Sequence, residues 1–311
     1  MSNVQQGVAG LNGGANCCTP RHMETVTQRS LDHLVLPTRD LKTARSRLEK
    51  LGFMVAPDGH HPFGTSNCCV YFKDGTFLEP LAVTDQAKAE ESIRSANVFV
   101  ARDRQFRDSV REDGLSAVVL RTDDAQRDHR QFEVDGVSAG PVLDFSRSFI
   151  DANGKSDVAS FRLAFAAEES SDETFFFTCQ RVGVPAVDRS ALQRHPNGVT
   201  RVDRIIFSSS APEEHAPFLS SLLGTEPSLA DENAVFFTLS NAELAVLSEE
   251  GDEAPGEARL SARALKFHHP DTGTLVDLLT EAEIPHDLID ERVIVPPAPG
   301  QGVFFIFESQ P

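Results

Sequence analysis

The sequence has no tryptophan, a single tyrosine and three methionines, so its 22 phenylalanines carry nearly all the aromatic surface available to a core or a ligand. Positive charge is scarce: 29 Lys and Arg stand against 47 Asp and Glu, for a formal charge of −18. A surface so acidic repels phosphate backbones, and with no basic stripe in the chain nucleic acid is excluded as a partner. No apolar run approaches the roughly 18 residues that a membrane span needs. Residues 1–23 lack both the basic start and the apolar stretch of a secretory leader. Five cysteines, an odd count with two vicinal pairs (Cys17/Cys18 and Cys68/Cys69), make a poor disulfide framework. They are expected to be reduced thiols in a cytoplasmic protein.

Hydrophobic residues, at 40%, suffice for packed cores, and 311 residues suggest about two domains. Residues 1–29, rich in Gly, Asn, Gln and Ser, are expected to form a flexible tail. Order begins at Leu31–Leu36, whose alternation reads as a strand. A helix follows over Asp40–Leu51, with Leu41, Ala44, Leu48 and Leu51 on one face and Gly52 as its C-terminal cap. Phe53–Val55, Cys68–Phe72 and Thr76–Leu81 complete a β-α-β-β-β unit, the last two joined by a turn at Lys73-Asp74-Gly75. The same grammar recurs from Leu115, Arg201 and Ala264. In the third copy Ser210-Ala211-Pro212-Glu213 resembles a capping box. Matching the strand-to-helix corners sets His33 opposite Ala117, Arg204 and Ala264. The expected fold is therefore α+β: repeated β-α-β-β-β modules pairing into two curved-sheet, half-barrel domains at 30–182 and 200–309, with a linker at 183–199.

A curved half-sheet cannot cover its own concave face, so two units side by side enclose a cup suited to a small molecule. In the first unit the inward positions hold His33 and Glu79, each a polar residue flanked by leucines. Burying a charge there costs several kcal/mol unless it is paired or metal-bound. An imidazole and a carboxylate on neighbouring strands suit a divalent metal, with Zn, Mn, Fe or Ni as candidates; equally, the two can pair with each other. His61 lies in a glycine-bearing loop whose Thr65 and Asn67 are candidate substrate contacts. Arg121 and Arg162 are candidate partners for an anionic substrate, and Gln180 ends a strand near the same cup. Cys68 and Cys69 are expected to pack, His195 to lie at the domain junction, and His268 and His269 to be exposed.

Leu31-Asp32-His33-Leu34-Val35-Leu36, Leu51-Gly52-Phe53, His61–Asn67 and Asp74–Glu79 together resemble the glyoxalase-like branch of the vicinal oxygen chelate superfamily. The resemblance extends more loosely to Phe175–Gln180 and His195–Gly198. It implies paired modules forming metal-holding cups, with His on first strands and Glu on last strands, in lyases, dioxygenases, epimerases, resistance enzymes and metal-free binding proteins. A full site of that kind takes ligands from two modules, but Ala117, Arg204 and Ala264 match His33. The position matching Glu79 falls near Thr178, Cys179 or Gln180, and Arg204 is expected to pair with Glu308. The expected function is binding of a small oxygenated substrate. One reading is a metal-assisted lyase or isomerase, with the metal on His33 and Glu79 and with Glu79 or His61 as base. The alternatives are a metal-free binding or resistance protein and, third, an extradiol-type dioxygenase. A homodimer is a candidate assembly.

Overall fold

The computed structural model describes residues 28–109, 113–150, 156–168, 174–230, 233–249, 258–269 and 271–309. Cys17 and Cys18 lie outside them, as does most of the segment read as a tail. Gln28 and Arg29 at its end are held: Arg29 donates to both carboxylate oxygens of Asp128 (2.7 and 3.1 Å) and to Leu222 O.

The first unit comprises β1 (Leu31–Pro37), α1 (Leu41–Lys50), β2 (Gly59–His60), β3 (Thr65–Asn67), β4 (Val70–Tyr71) and β5 (Phe77–Val83). Two helices follow, α2 (Gln86–Arg94) and α3 (Val98–Ser109). The second has β6 (Ala117–Thr122), α4 (Ala125–Val134), β7 (Leu143–Ile150), β8 (Ser156–Ala166) and β9 (Phe175–Gly183). The third has β10 (Arg201–Ser209), a 3₁₀ turn at Pro212–His215, α5 (Ala216–Leu223), β11 (Leu229–Ala230), β12 (Ala234–Thr238) and β13 (Glu243–Ser248). The fourth has β14 (Ser261–His268), α6 (Thr272–Glu281), β15 (Asp287–Ile289), β16 (Arg292–Val295) and β17 (Phe304–Glu308).

One sheet runs β2-β3-β5-β1-β6-β9-β8-β7, with β4 also on β5; the other runs β11-β12-β13-β10-β14-β17-β16-β15. In each, two units join through antiparallel first strands, β1 with β6 and β10 with β14, and each first strand pairs parallel with its unit's last. The helix caps fix the internal correspondence. Asp40, Asp124, Ala211 and Asp271 each stand seven residues after His33, Ala117, Arg204 and Ala264. Three of these caps are aspartates whose carboxylates accept first-turn N–H groups, worth about 1 kcal/mol each.

Several local expectations give way. Phe53–Val55 forms no strand; Phe53 packs against Phe267, Phe305 and Phe307 of the other sheet. The Ser210–Glu213 capping box does not form, because no side chain caps the Pro212 turn; Ser209 Oγ instead accepts from Ala211 N at 3.2 Å. Arg204 pairs with Glu243, its register partner, at 2.8 Å, while Glu308 is taken by Lys266 and Arg292. His269 is buried, donating to Asn197 O rather than lying exposed. Strand β7 was not anticipated.

Leu34 and Leu36 of β1 face a large core shared by both sheets and by α1, α4, α5 and α6, while Val35 faces a second cluster. That second cluster draws on the opposite face of the first sheet and on α2 and α3, through Ala89, Val98, Phe99 and Val100. The two helices therefore roof one face of the first sheet. Among the described residues no helix is long and apolar enough to cross a membrane.

Candidate functional site

The site begins with an irregularity in β1. Pairing with β6 runs Leu31 to Leu120 and then His33 to Val119, leaving Asp32 as an extra residue. A bulge of this kind turns two consecutive side chains toward one face, and Asp32 and His33 both line the cavity beneath the roof. Asp32, 1% exposed, accepts from His33 Nδ1 at 2.8 Å and from Arg181 Nη2 at 2.9 and 3.0 Å; Arg121 Nε lies 3.4 Å away. Burial alone would raise this carboxyl, but the hydrogen bond and charge of His33, with Arg181, outweigh burial and hold it well below the carboxylate range.

His33 also points Nε2 at Glu79 Oε2, 3.2 Å away, and its ring stacks on Phe77 at 4.3 Å. Desolvation opposes the imidazolium, yet hydrogen bonds to Asp32 and Glu79 and their two charges raise its pKa above 6.5. Glu79 is 5% exposed. Burial pushes it up, but His33, His61 and a hydrogen bond from Asn67 Nδ2 to Oε1 (2.5 Å) bring it down to about 2. The result is an ionised, buried chain, Asp32–His33–Glu79.

His61 approaches Glu79 Oε1 at 3.6 Å, its Nδ1 fixed by Thr65 Oγ1 at 2.9 Å and its ring stacked on Phe63. Desolvation dominates here and lowers it to about 4, so His61 is neutral where His33 is charged. Thr65 and Asn67 thus hold His61 and Glu79 from behind and are not among the cavity-lining residues. Gly64 serves packing rather than ligand approach: a Cβ there would stand 2.5 Å from Asp85 O at the start of α2. Gln180 is occupied at the cap of α4, donating to Asp123 O and accepting from Ala125 N. Arg121 does line the cavity, whereas Arg162 is paired with Asp144 at 2.7 Å.

The cavity has about 210 Å³ and walls that include Phe63, Phe99, Phe145, Phe161 and Phe177, with Tyr71, Arg147 and Arg189. Sequence reasoning missed Asp32, Arg147, Arg181 and Arg189. The signal for Asp32 was its place beside His33; the other three had none stronger than being arginines in an acidic chain. Cys68 and Cys69 are buried, and desolvation pushes both to about 12, which removes a nucleophilic role. His195 is a brace: its Nδ1 accepts from Met54 N and its Nε2 donates to Tyr71 O. Glu168, His215 and Ser209 have the connectivity of a hydrolytic triad, but Ser209 is 1% exposed and cannot meet a substrate.

The superfamily pattern calls for metal donors from two modules, and strand register tests it. Glu79 faces Val35, two residues beyond His33; in the second unit the same step from Ala117 leads to Val119, whose partner is Phe177. The glutamate's counterpart is thus Phe177, not Thr178, Cys179 or Gln180, and a methyl and a phenyl stand where donors are needed. Among the described residues no group of three His, Cys, Asp or Glu side chains is arranged to hold a metal ion. The donor set does not fit a resident metal of that pattern.

A family model described as a glyoxalase-like domain matches residues 31–223. Among solved structures, a hypothetical protein from Staphylococcus aureus superposes with a TM-score of 0.65 at 13% identity, covering 91% of this chain and 100% of its own. A mutant of 4-hydroxymandelate synthase from Streptomyces coelicolor gives 0.54 at 11% identity, with 91% and 94% covered. No curated protein sequence matches the chain.

Proposed function

Because the chain belongs to the glyoxalase-like domain family, with the paired curved sheets of the vicinal oxygen chelate superfamily, we propose that its cavity binds a small oxygenated molecule and moves a proton on it. The reaction class is that of a lyase or isomerase acting beside a carbonyl. The observation that carries this reading is the buried Asp32–His33–Glu79 chain at the wall of an aromatic cavity. His33, kept cationic by a carboxylate on each side, is a donor suited to an oxygen that gains negative charge as the neighbouring carbon loses its proton. Glu79 is the acceptor. A substrate oxygen that takes over the His33 Nε2 proton frees Glu79 of one hydrogen bond and raises its basicity when a base is needed. Neutral His61, 3.6 Å from Glu79, is a second station for the proton. Asp32 stays ionised and fixes the ring of His33.

The expected divalent metal has no part in this scheme, since Ala117 and Phe177 offer no donors beside His33 and Glu79. Phe177 also supports a second reading, a binding protein without turnover whose cavity grips an apolar body. Deuterium exchange separates the two. The full chain and Glu79→Gln are incubated in D₂O with a panel of α-hydroxy and α-keto carbonyl compounds, and substrate mass is followed. Exchange by the wild type, lowered about 10²–10⁴-fold in Glu79→Gln, is the expected result. Binding with no exchange across the panel replaces the enzyme with the binding protein.

A further inference from the structure

We infer that the cavity's occupant is an organic anion, a carboxylate on an apolar body, whose charged end is met by Arg147 and Arg189. Four guanidiniums line a single cavity in a chain of net charge −18. Two are already spent: Arg181 holds Asp32 with two short hydrogen bonds, and Arg121 leans on the same carboxylate. Arg147 and Arg189 have no such acid among the described residues. Among the described residues their close partners are rings, with Arg147 6.0 Å from the Phe161 centroid and Arg189 4.7 Å from that of Tyr71. A guanidinium held over an aromatic ring spends no N–H on an acceptor oxygen, which leaves those donors for a carboxylate. Access for Arg147 is built into the backbone: a Cβ on Gly59 would collide with its Nη1. The remaining cavity carboxylates are committed elsewhere, Glu79 to His33 and Asn67 and Asp74 to the N–H and hydroxyl of Thr76, so neither neutralises the pair. The phenylalanine walls take the apolar remainder. This assignment rests on the cavity being the ligand site, as proposed above, but not on proton transfer occurring there.

The test is calorimetric titration of the full chain with phenylacetate and with phenylacetamide, which share a shape and differ in charge. The wild type is expected to bind the acid at least tenfold more tightly. Arg147→Gln and Arg189→Gln should each lose roughly tenfold for the acid with little change for the amide. Arg147→Lys should recover part of the loss, and Arg162→Gln, whose arginine is tied to Asp144, should behave as wild type. Equal binding of acid and amide, loss of both ligands alike in the arginine variants, or no acid-selective binding at millimolar concentration overturns the assignment. Acid-selective binding without deuterium exchange removes only the proton-transfer reading, and exchange of neutral carbonyl compounds without acid selectivity removes only this one.

Discussion

Replacing Glu79 with Gln tests the charge state on which the proposed proton transfer depends. The substitution keeps the shape, turns one acceptor oxygen into an NH₂ donor, and removes one of the two anions that hold His33 cationic. The charge of Glu79, 3.2 Å away, is one of the causes that raise the imidazole's titration midpoint, so His33 should titrate lower in the variant, still supported by Asp32. The energetic counterpart comes from Glu79, moved from 4.5 to about 2, a stabilisation of about 3 kcal/mol. Its pH window follows from both partners. The carboxylate's contribution is complete above 4.5 and is lost as pH falls toward 2. That of His33, whose pKa is raised, is complete below 6.5 and is lost as pH rises through the folded value. The stability difference between wild type and variant should therefore peak between about pH 4.5 and 6.5 and shrink on either side. Urea unfolding at a series of pH values reads the difference, and side-chain nitrogen NMR reads the histidines. In the wild type His33 should be imidazolium at pH 6, below its unperturbed midpoint of 6.5, with His61 neutral down to about pH 4. A stability difference that stays flat from pH 3 to 9, or a neutral His33 at pH 6 in the wild type, refutes the ionised chain.

Gly59→Ala brings a methyl group against Arg147 Nη1, the end of a long side chain that can yield, and 2.6 Å from Oδ1 of the buried Asn67, which must shift by a few tenths of an ångström. It should leave stability within about 1 kcal/mol yet weaken phenylacetate binding several-fold by calorimetry, and unchanged binding would mean that Arg147 does not reach the ligand. His195→Ala strands Met54 N–H and Tyr71 C=O, at about 1–3 kcal/mol for each buried group left unpaired. Urea titration at pH 7 should show a loss of that order, and no loss would show that water replaces the ring at no cost.

The architecture was legible because each unit declares itself through local chemistry. An alternating strand, an aspartate cap seven residues after the matched position and an apolar helical face recur in three of the four units, and only Ala211 breaks the cap pattern. His33 and Glu79 stood out as charges inside apolar strands. Asp32 did not, since strict alternation sends neighbours to opposite faces and a bulge leaves no mark in composition. Strand β7 was hidden because Asp144, Ser146 and Ser148 are exposed and break up the apolar signal. Arg147 comes to the cavity from that unread strand, and Arg189 comes from a connection with no period at all. Gln180 was misleading in another way: its place at a strand end suggested the cup, but the nearest unsatisfied groups were the backbone atoms of a helix start, and those took it.

The second sheet explains what the first needed in order to become a site. It repeats the bulge: between Val202 and Arg204, Asp203 is the extra residue of β10, as Asp32 is of β1. There the next residue is Arg204 instead of His33, and it pairs with Glu243, while Asp203 takes Arg201 and Glu308 takes Lys266 and Arg292. Among the described residues the second buried cluster includes no member of this sheet, so nothing comparable to α2 and α3 roofs its charged face. Ion pairs left near solvent are worth about 0–1 kcal/mol each and hold their groups weakly. In the first sheet the same backbone irregularity lies among Phe63, Phe99 and Phe145 with Asp32, His33 and Glu79 all buried, so His33 shares its protons with Asp32 and Glu79. The bulge aims the side chains, and the two-helix insertion between β5 and β6, through Phe99, joins Phe63 and Phe145 in covering them, which strengthens their mutual electrostatics.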